Sequence, residues 1–226
     1  LYMLSFGCTV GVAFIFFGQV LLHYGGGKAF IDFALLFCGK SQGGSAKTAV
    51  VASSLVGTIT GAPMSNVLLT GSVTIPMMKE AGYPPATAGA VEAVASSGGQ
   101  IMPPVMGIAA FIIAETLGVA YSKVALAALI PAVLFYFATF VQVHMDAGKL
   151  QLKKIPVDQL PKPKDAWKNG WFIIPPIVCI IVCMFNLGVP AALSAIIAGA
   201  VALPFLAFKP ENRRNFLKNF VGALRE

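Results

Sequence analysis

Charge is what this chain has least of. Asp, Glu, Lys and Arg together supply 11% of its 226 residues, against 57% apolar residues and a mean hydropathy of +0.81. A soluble domain carries about twice that share of charge, and several stretches exceed the roughly 20 apolar residues that cross a bilayer. A soluble globular protein is thereby excluded, and the chain reads as an integral membrane protein. Histidine is nearly missing: His23 and His144 stand alone near helix ends, where an interfacial place suits them. The four cysteines, Cys8, Cys38, Cys179 and Cys183, lie in or beside apolar runs. Cys179 and Cys183 share a helix face but have no His or acidic residue near them in sequence, so they read as packing and not as metal ligands. No basic segment and no cleavage site opens the chain, which begins Leu1-Tyr2-Met3 inside a hydrophobic run; that is no signal peptide, and it reads as part of something longer.

What is there is a series of apolar segments with two interruptions. Residues 1–22 form a span ended by Gly25-Gly26-Gly27, and 28–39 a short apolar helix, interfacial or re-entering. The Gly39 to Thr48 stretch looks like a phosphate loop but lacks its spacing: Ala34 stands where a Gly is needed before Gly39-Lys40-Ser41, and Ala46 precedes Lys47. Residues 46–60 make about 22 Å of helix, which passes the bilayer middle without crossing its ~30 Å core. After Thr60-Gly61-Ala62-Pro63-Met64-Ser65-Asn66 a second helix of similar length covers 66–80. Two half-length helices with a Gly-Pro tip and Lys47 and Lys79 at the open ends describe a re-entrant hairpin over 46–82. Residues 84–118 are one discontinuous spanning helix. Its break is Ser96-Ser97-Gly98-Gly99-Gln100-Ile101-Met102-Pro103-Pro104, with Gly giving a left-handed cap to the first half and Pro103-Pro104 starting the second. Spans at 122–145, 169–187 and 190–208 follow. Residues 146–168 between them are a Pro- and Lys-rich cytoplasmic linker, and a basic amphipathic tail ends the chain.

Lipid offers no hydrogen bonds, so irregular backbone at membrane depth survives only when buried in protein or lining a wet cavity. Two such breaks close together mark a transporter's binding site. Helix C-termini present carbonyls and partial negative charge, N-termini amides and partial positive charge. If the breaks meet, one pair of ends converges on a cation and the other faces an anion. Gly61, Ser65, Asn66, Ser97 and Gly98 are the cation-binding candidates. Neither break holds an acidic residue, which suits a small monovalent cation, Na+, better than a divalent one. Asn66 either caps the second half-helix or ligates the ion. Asn66, Gln100, Pro103 and Pro104 are the candidates that face the solute, with Gln100 equally able to satisfy freed backbone. Glu92 and Glu115 lie inside the broken helix, where a carboxylate is costly; Glu92 serves proton coupling or helix pairing, and Glu115 snorkels. The small residues Ala49, Ala52, Ser53, Ser54, Gly57, Ala86, Ala88, Gly89 and Ala90 read as close helix packing.

Orientation follows from the basic residues. With residue 1 outside and the hairpin entering from the cytoplasm, fifteen of the sixteen Lys and Arg lie inside and only Lys123 lies outside. Membrane topology thus accounts for the net charge of +7, and no nucleic acid is needed.

Gly43-Gly44-Ser45-Ala46-Lys47, the tip from Gly61 to Asn66, Ile75 to Tyr83, and above all Gly89-Ala90-Val91-Glu92-Ala93 leading into Ser96 to Gly107 resemble the tripartite ATP-independent periplasmic (TRAP) transporters. The likeness is to fused permeases that work with binding proteins of the TAXI type. It runs from about residue 7 to residue 210. The resemblance implies a sodium-driven elevator importer of organic acids in the bacterial inner membrane, with Na+ as coupling ion and no other cofactor. It implies two partners: a periplasmic substrate-binding protein, and a small membrane subunit fused upstream. It also implies that the first hairpin tip and first broken helix share a sodium site, which falls on Ser65, Asn66, Ser97 and Gly98. On this reading the chain is an all-α elevator-type transporter half: residues 1–145 are one inverted repeat, and 169–226 begin the second. The alternative is an elevator carrier of dicarboxylates that uses protons or sodium and no binding protein. An intramembrane enzyme is disfavoured, since Glu92 and Glu115 lie on opposite halves of the broken helix, about 25 Å or more apart at 1.5 Å per residue, too far to cooperate.

Overall fold

The computed structural model describes residues 2–23, 25–152, 155 and 160–207. Among these every regular element is helical. Helix α1 (Tyr2–His23) gives way at Gly25, whose φ of 96° favours glycine, to α2 (Gly26–Cys38), and the two are bent by 69°. Helices α3 (Gly44–Thr60) and α4 (Pro63–Glu80) pack on each other, joined by Gly61 and Ala62 alone. The link is shorter than the sequence predicts because Pro63 itself opens α4, its missing N–H falling where no partner is needed.

Helix α5 (Pro85–Ser97) tightens into a 3₁₀ turn over Gly98–Gln100, and α6 (Ile108–Leu117) follows the break. The break departs from the sequence pattern in two ways. Gly98 does not supply a left-handed cap: its φ is −61°, and the positive φ falls on Met106 at 59°. Pro103-Pro104 does not start the second half-helix, which begins at Ile108. The intervening backbone is drawn to other partners, Val105 N–H donating to Thr58 O at 3.3 Å and Gly107 N–H to Gln100 O at 2.7 Å. The Pro103–Pro104 peptide is cis.

Helix α7 (Tyr121–Lys149), α8 (Pro163–Gly170), α9 (Ile174–Ile181) and α10 (Ala191–Ala207) complete the chain. A 3₁₀ turn at Trp171–Ile173 joins α8 to α9, and a π turn at Val182–Asn186 extends α9. The 146–168 linker is therefore helical at both ends. Lys153, Lys154 and the basic tail lie outside the described residues. Tyr121–Lys149 and Pro163–Asn186 are long and apolar enough to cross a membrane singly, and the bent α1–α2 pair would be a third span.

Two apolar clusters fix the arrangement, and α3 belongs to both. Val10, Phe14, Phe17 and Leu21 of α1 pack on Val56 and Ile59 of α3, Phe111 of α6, and Ala195 and Ala198 of α10. Ala46, Ala49 and Val50 of α3 pack with Met78, Ala88, Ala95, Val143 and Ala147 from α4, α5 and α7. Leu126, Ile130, Leu134 and Phe137 of α7 are 59–69% exposed, a face that water would penalise and lipid would not.

Candidate functional site

The two breaks meet. At Gly57 of α3 and Gly99 of the 3₁₀ turn the backbones touch, so that a Cβ on Gly57 would stand 2.6 Å from the Gly99 Cα. At Gly61, whose φ is 56°, a Cβ would strike the Met106 carbonyl oxygen. Only glycine allows both the turn and the approach. Tyr121 pins the second break from the far side: its hydroxyl lies 2.6 Å from Val105 O and 3.0 Å from Pro104 O, and its ring stacks on Phe111 at 4.1 Å.

Beside this crossing lies a cavity of about 650 Å³, lined by Thr60 to Pro63, Gln100, Ile101, Val105 to Phe111 and parts of α1 and α7. The lining carries no charged side chain. Its polarity comes from Thr60, Gln100 and helix ends. The α3 C-terminus at Thr60 and the N-termini of α4 at Pro63 and α6 at Ile108 all border it. Amides of two N-termini on one cavity favour an anion, and the carbonyls at Thr60 a cation.

Behind the crossing sits Glu92, wholly buried. Ser53 Oγ of α3 and Ser96 Oγ of α5 donate to its Oε1 at 3.0 and 3.1 Å, and Thr70 of α4 donates to the same oxygen. Thr74 Oγ1 donates to Oε2 at 2.5 Å. Among the described residues no cationic side chain is bonded to this carboxylate. Hydrogen bonds from four hydroxyls satisfy its oxygens, as a buried polar group requires. Asn66 adjoins them. Its Nδ2 donates to Ser53 O at 2.9 Å, and its Oδ1 is 3.5 Å from Thr70 Oγ1.

Of the residues singled out in sequence, Gly61 and Gln100 line the cavity. Asn66 is buried at the crossing and does not cap α4, whose N-cap is Ala62. Ser65 is half-buried one position before it. Gly98 is buried against Phe135 and Tyr136. Ser97 is exposed, and its hydroxyl turns back to Ala93 O at 2.8 Å. Pro103 and Pro104 are half-buried in the second break, outside the cavity lining. Sequence reasoning missed Ser53, Thr70, Thr74 and Ser96. The stripe Asn66-Thr70-Thr74, three polar residues spaced four apart on an apolar helix, was the available signal. Cys179 and Cys183 pack with their sulfurs 4.0 Å apart; among the described residues no cluster of His, Cys, Asp or Glu could hold a metal.

The family model for the tripartite ATP-independent periplasmic transporter, DctM component, matches residues 3–225. The chain belongs to that family. It is therefore a TRAP large-permease chain, a transmembrane protein of a transport system. A protein of Sinorhizobium fredii, named only as uncharacterized, is 24% identical over 223 residues, covering 93% of this chain and 50% of that protein. A putative TRAP transporter large permease protein of Haemophilus influenzae is 24% identical over 177 residues, 78% of this chain and 41% of its own length. The C4-dicarboxylate TRAP transporter large permease protein DctM of Pseudomonas aeruginosa is 28% identical over 143 residues, 63% of this chain and 32% of that one. The TRAP chain spans half or less of the length of these relatives.

Proposed function

We propose that this chain forms part of a secondary transporter that carries an organic acid into the cytoplasm, coupled to sodium and supplied by a periplasmic binding protein. The observation that carries the reading is the cavity where two helix N-termini and one C-terminus meet without a charged side chain. Such a cavity attracts a carboxylate through backbone amides and a small cation through backbone carbonyls. The C4-dicarboxylate named for the Pseudomonas relative is an organic acid of this class.

In this reading the α3–α4 hairpin enters and leaves the inner membrane from the cytoplasm, and α5 with α6 is one interrupted span. Residues 1–145 form the first of two inverted repeats that move as an elevator, 146–168 are the cytoplasmic linker, and 169–226 begin the second repeat. Sodium sits between the breaks, held by oxygens of Gly61, Ser65, Asn66, Ser97 and Gly98. Gln100, which lines the cavity, faces the solute. The small membrane subunit is fused upstream, and the binding protein is of the TAXI type.

Uptake by the full-length permease in liposomes, with its binding protein outside, tests this. Carboxylate should accumulate under an inward sodium gradient, and collapsing the gradient or omitting the binding protein should stop it. Accumulation that survives the collapse would remove sodium from the scheme.

A further inference from the structure

The group that the transport reading leaves unused is Glu92. Its carboxylate is held by hydroxyls alone, and the two threonine hydroxyls also have a carbonyl of their own helix within reach. Thr70 Oγ1 bonds Glu92 Oε1 and also lies 2.8 Å from Asn66 O. Thr74 Oγ1 lies 2.5 Å from Oε2 and 2.9 Å from Thr70 O. A threonine hydroxyl has one proton and two lone pairs. With Glu92 ionised, both threonines turn their protons to the carboxylate. With Glu92 protonated, the acid O–H donates to Thr70 Oγ1 or Thr74 Oγ1, and that threonine turns its own proton to the helix carbonyl. Both states are fully hydrogen-bonded, and only a hydroxyl rotates between them. A carboxylate fixed by Arg or Lys would have one satisfied state.

The surroundings do not hold the charge in place. Helix α3 presents Ser53; its Lys47 lies about 9 Å of helix rise away and donates to Ser41 Oγ at 3.2 Å. Helix α4 presents Thr70, Gly71 and Thr74, while its Lys79 and Glu80 are exposed at its far end. The 3₁₀ turn Gly98–Gln100 has no titratable group. Helix α7 brings Tyr136, whose hydroxyl donates to Ala95 O at 3.1 Å. A single step outward from the cluster reaches the crossing. Asn66 lies 3.5 Å from Thr70 Oγ1, and its Nδ2 is 3.4 Å from where a Cβ on Gly99 would be.

We propose that Glu92 is an exchangeable proton site, filled and emptied during transport, and that Thr70 and Asn66 link its occupancy to the crossing of the two breaks. One proton from water forms an O–H bond on a Glu92 oxygen and later returns to water; no other bond is made or broken. The role in transport rests on the proposed function above, but the proton site itself does not.

Infrared difference spectra of the purified full-length permease test the site directly. Cycling the pH should raise and remove a carboxylic-acid C=O band that is missing in Glu92→Gln. Thr74→Val removes one hydrogen-bond partner of the carboxyl group, so that band should move to higher frequency. Thr74→Ser should restore it. A band that is the same in Glu92→Gln, or a band frequency unmoved by Thr74→Val, would overturn the proposal; if Glu92→Gln does not fold, the two Thr74 variants decide it. In liposomes, proton entry should accompany carboxylate entry in the wild-type protein. Should the wild-type protein move no carboxylate at all, the transport reading fails while the infrared titration still reads the proton site. Carboxylate uptake without proton entry would sink the role in transport.

Discussion

At Gly57 and Gly99 two segments of the chain approach with no side chain between them, and this contact sets how closely the breaks can meet. A Cβ on Gly99 would stand 2.9 Å from the Gly57 Cα and 3.4 Å from Asn66 Nδ2, so backbone has to move. Gly99→Val should cost about 1–3 kcal/mol through overpacking and abolish uptake. Gly89 is the control: it sits inside α5 with nothing within 4 Å of its would-be Cβ. Gly89→Ala should leave uptake intact and stabilise by roughly 0.4–1 kcal/mol. Thermal unfolding in detergent and uptake in liposomes check both; equal effects at the two glycines would mean that the crossing is not a tight contact. Asn66 is next to that contact. Asn66→Ala removes the bond to Ser53 O at 2.9 Å, a loss of about 1 kcal/mol, and takes one oxygen from the proposed sodium site. Half-maximal uptake should then need more sodium, and an unchanged sodium dependence would place the ion elsewhere.

Among the elements, the segment from Met102 to Gly107 has a shape that depends on a distant residue. Its carbonyls at Pro104 and Val105 receive the Tyr121 hydroxyl from the start of α7. Tyr121→Phe keeps the stacking on Phe111 but loses the hydroxyl, at about 1 kcal/mol. Uptake should fall, with the solute concentration for half-maximal rate rising, because Val105 and Gly107 border the cavity. Unchanged uptake kinetics would show that the break holds its shape without Tyr121. The same segment shows what a sequence reveals. Both interruptions were legible because Gly and Pro are rare inside helices and carry their geometry locally. The restart at Ile108 was not, because the bond from Val105 N–H to Thr58 O joins residues far apart in the chain. Glu92 was legible as a costly carboxylate. The hydroxyls around it were not: Thr70 and Thr74 share an α4 stripe, but bringing Ser53 onto it depends on how α3 meets α4.

At the scale of the molecule, the helix ends sort into two groups. Gly43 lies against Ala147 and Tyr83, Gly39 against Leu160, and Gly170 against Phe33, which gathers the start of α3, the end of α4, the end of α7 and α8 at one end. Phe111 of α6 stacks on Tyr121 at the start of α7, and α9's extension at Met184 and Phe185 borders the same cavity as Tyr121 and Ser122, at the other end. Lys79, Lys149, Lys162, Lys164 and Lys168 belong to elements of the first group, and Lys123 to the second. A bilayer that keeps positive charge on the cytoplasmic side therefore orients the molecule one way. In a background with the native cysteines replaced, an impermeant maleimide added to intact cells should label Lys123→Cys and spare Lys162→Cys until the cells are opened. The opposite labelling would invert the molecule and make the hairpin enter from outside. Labelling of both in intact cells would put the two ends of α7 on the same side, and α7 would not span the membrane despite being long and apolar enough to do so.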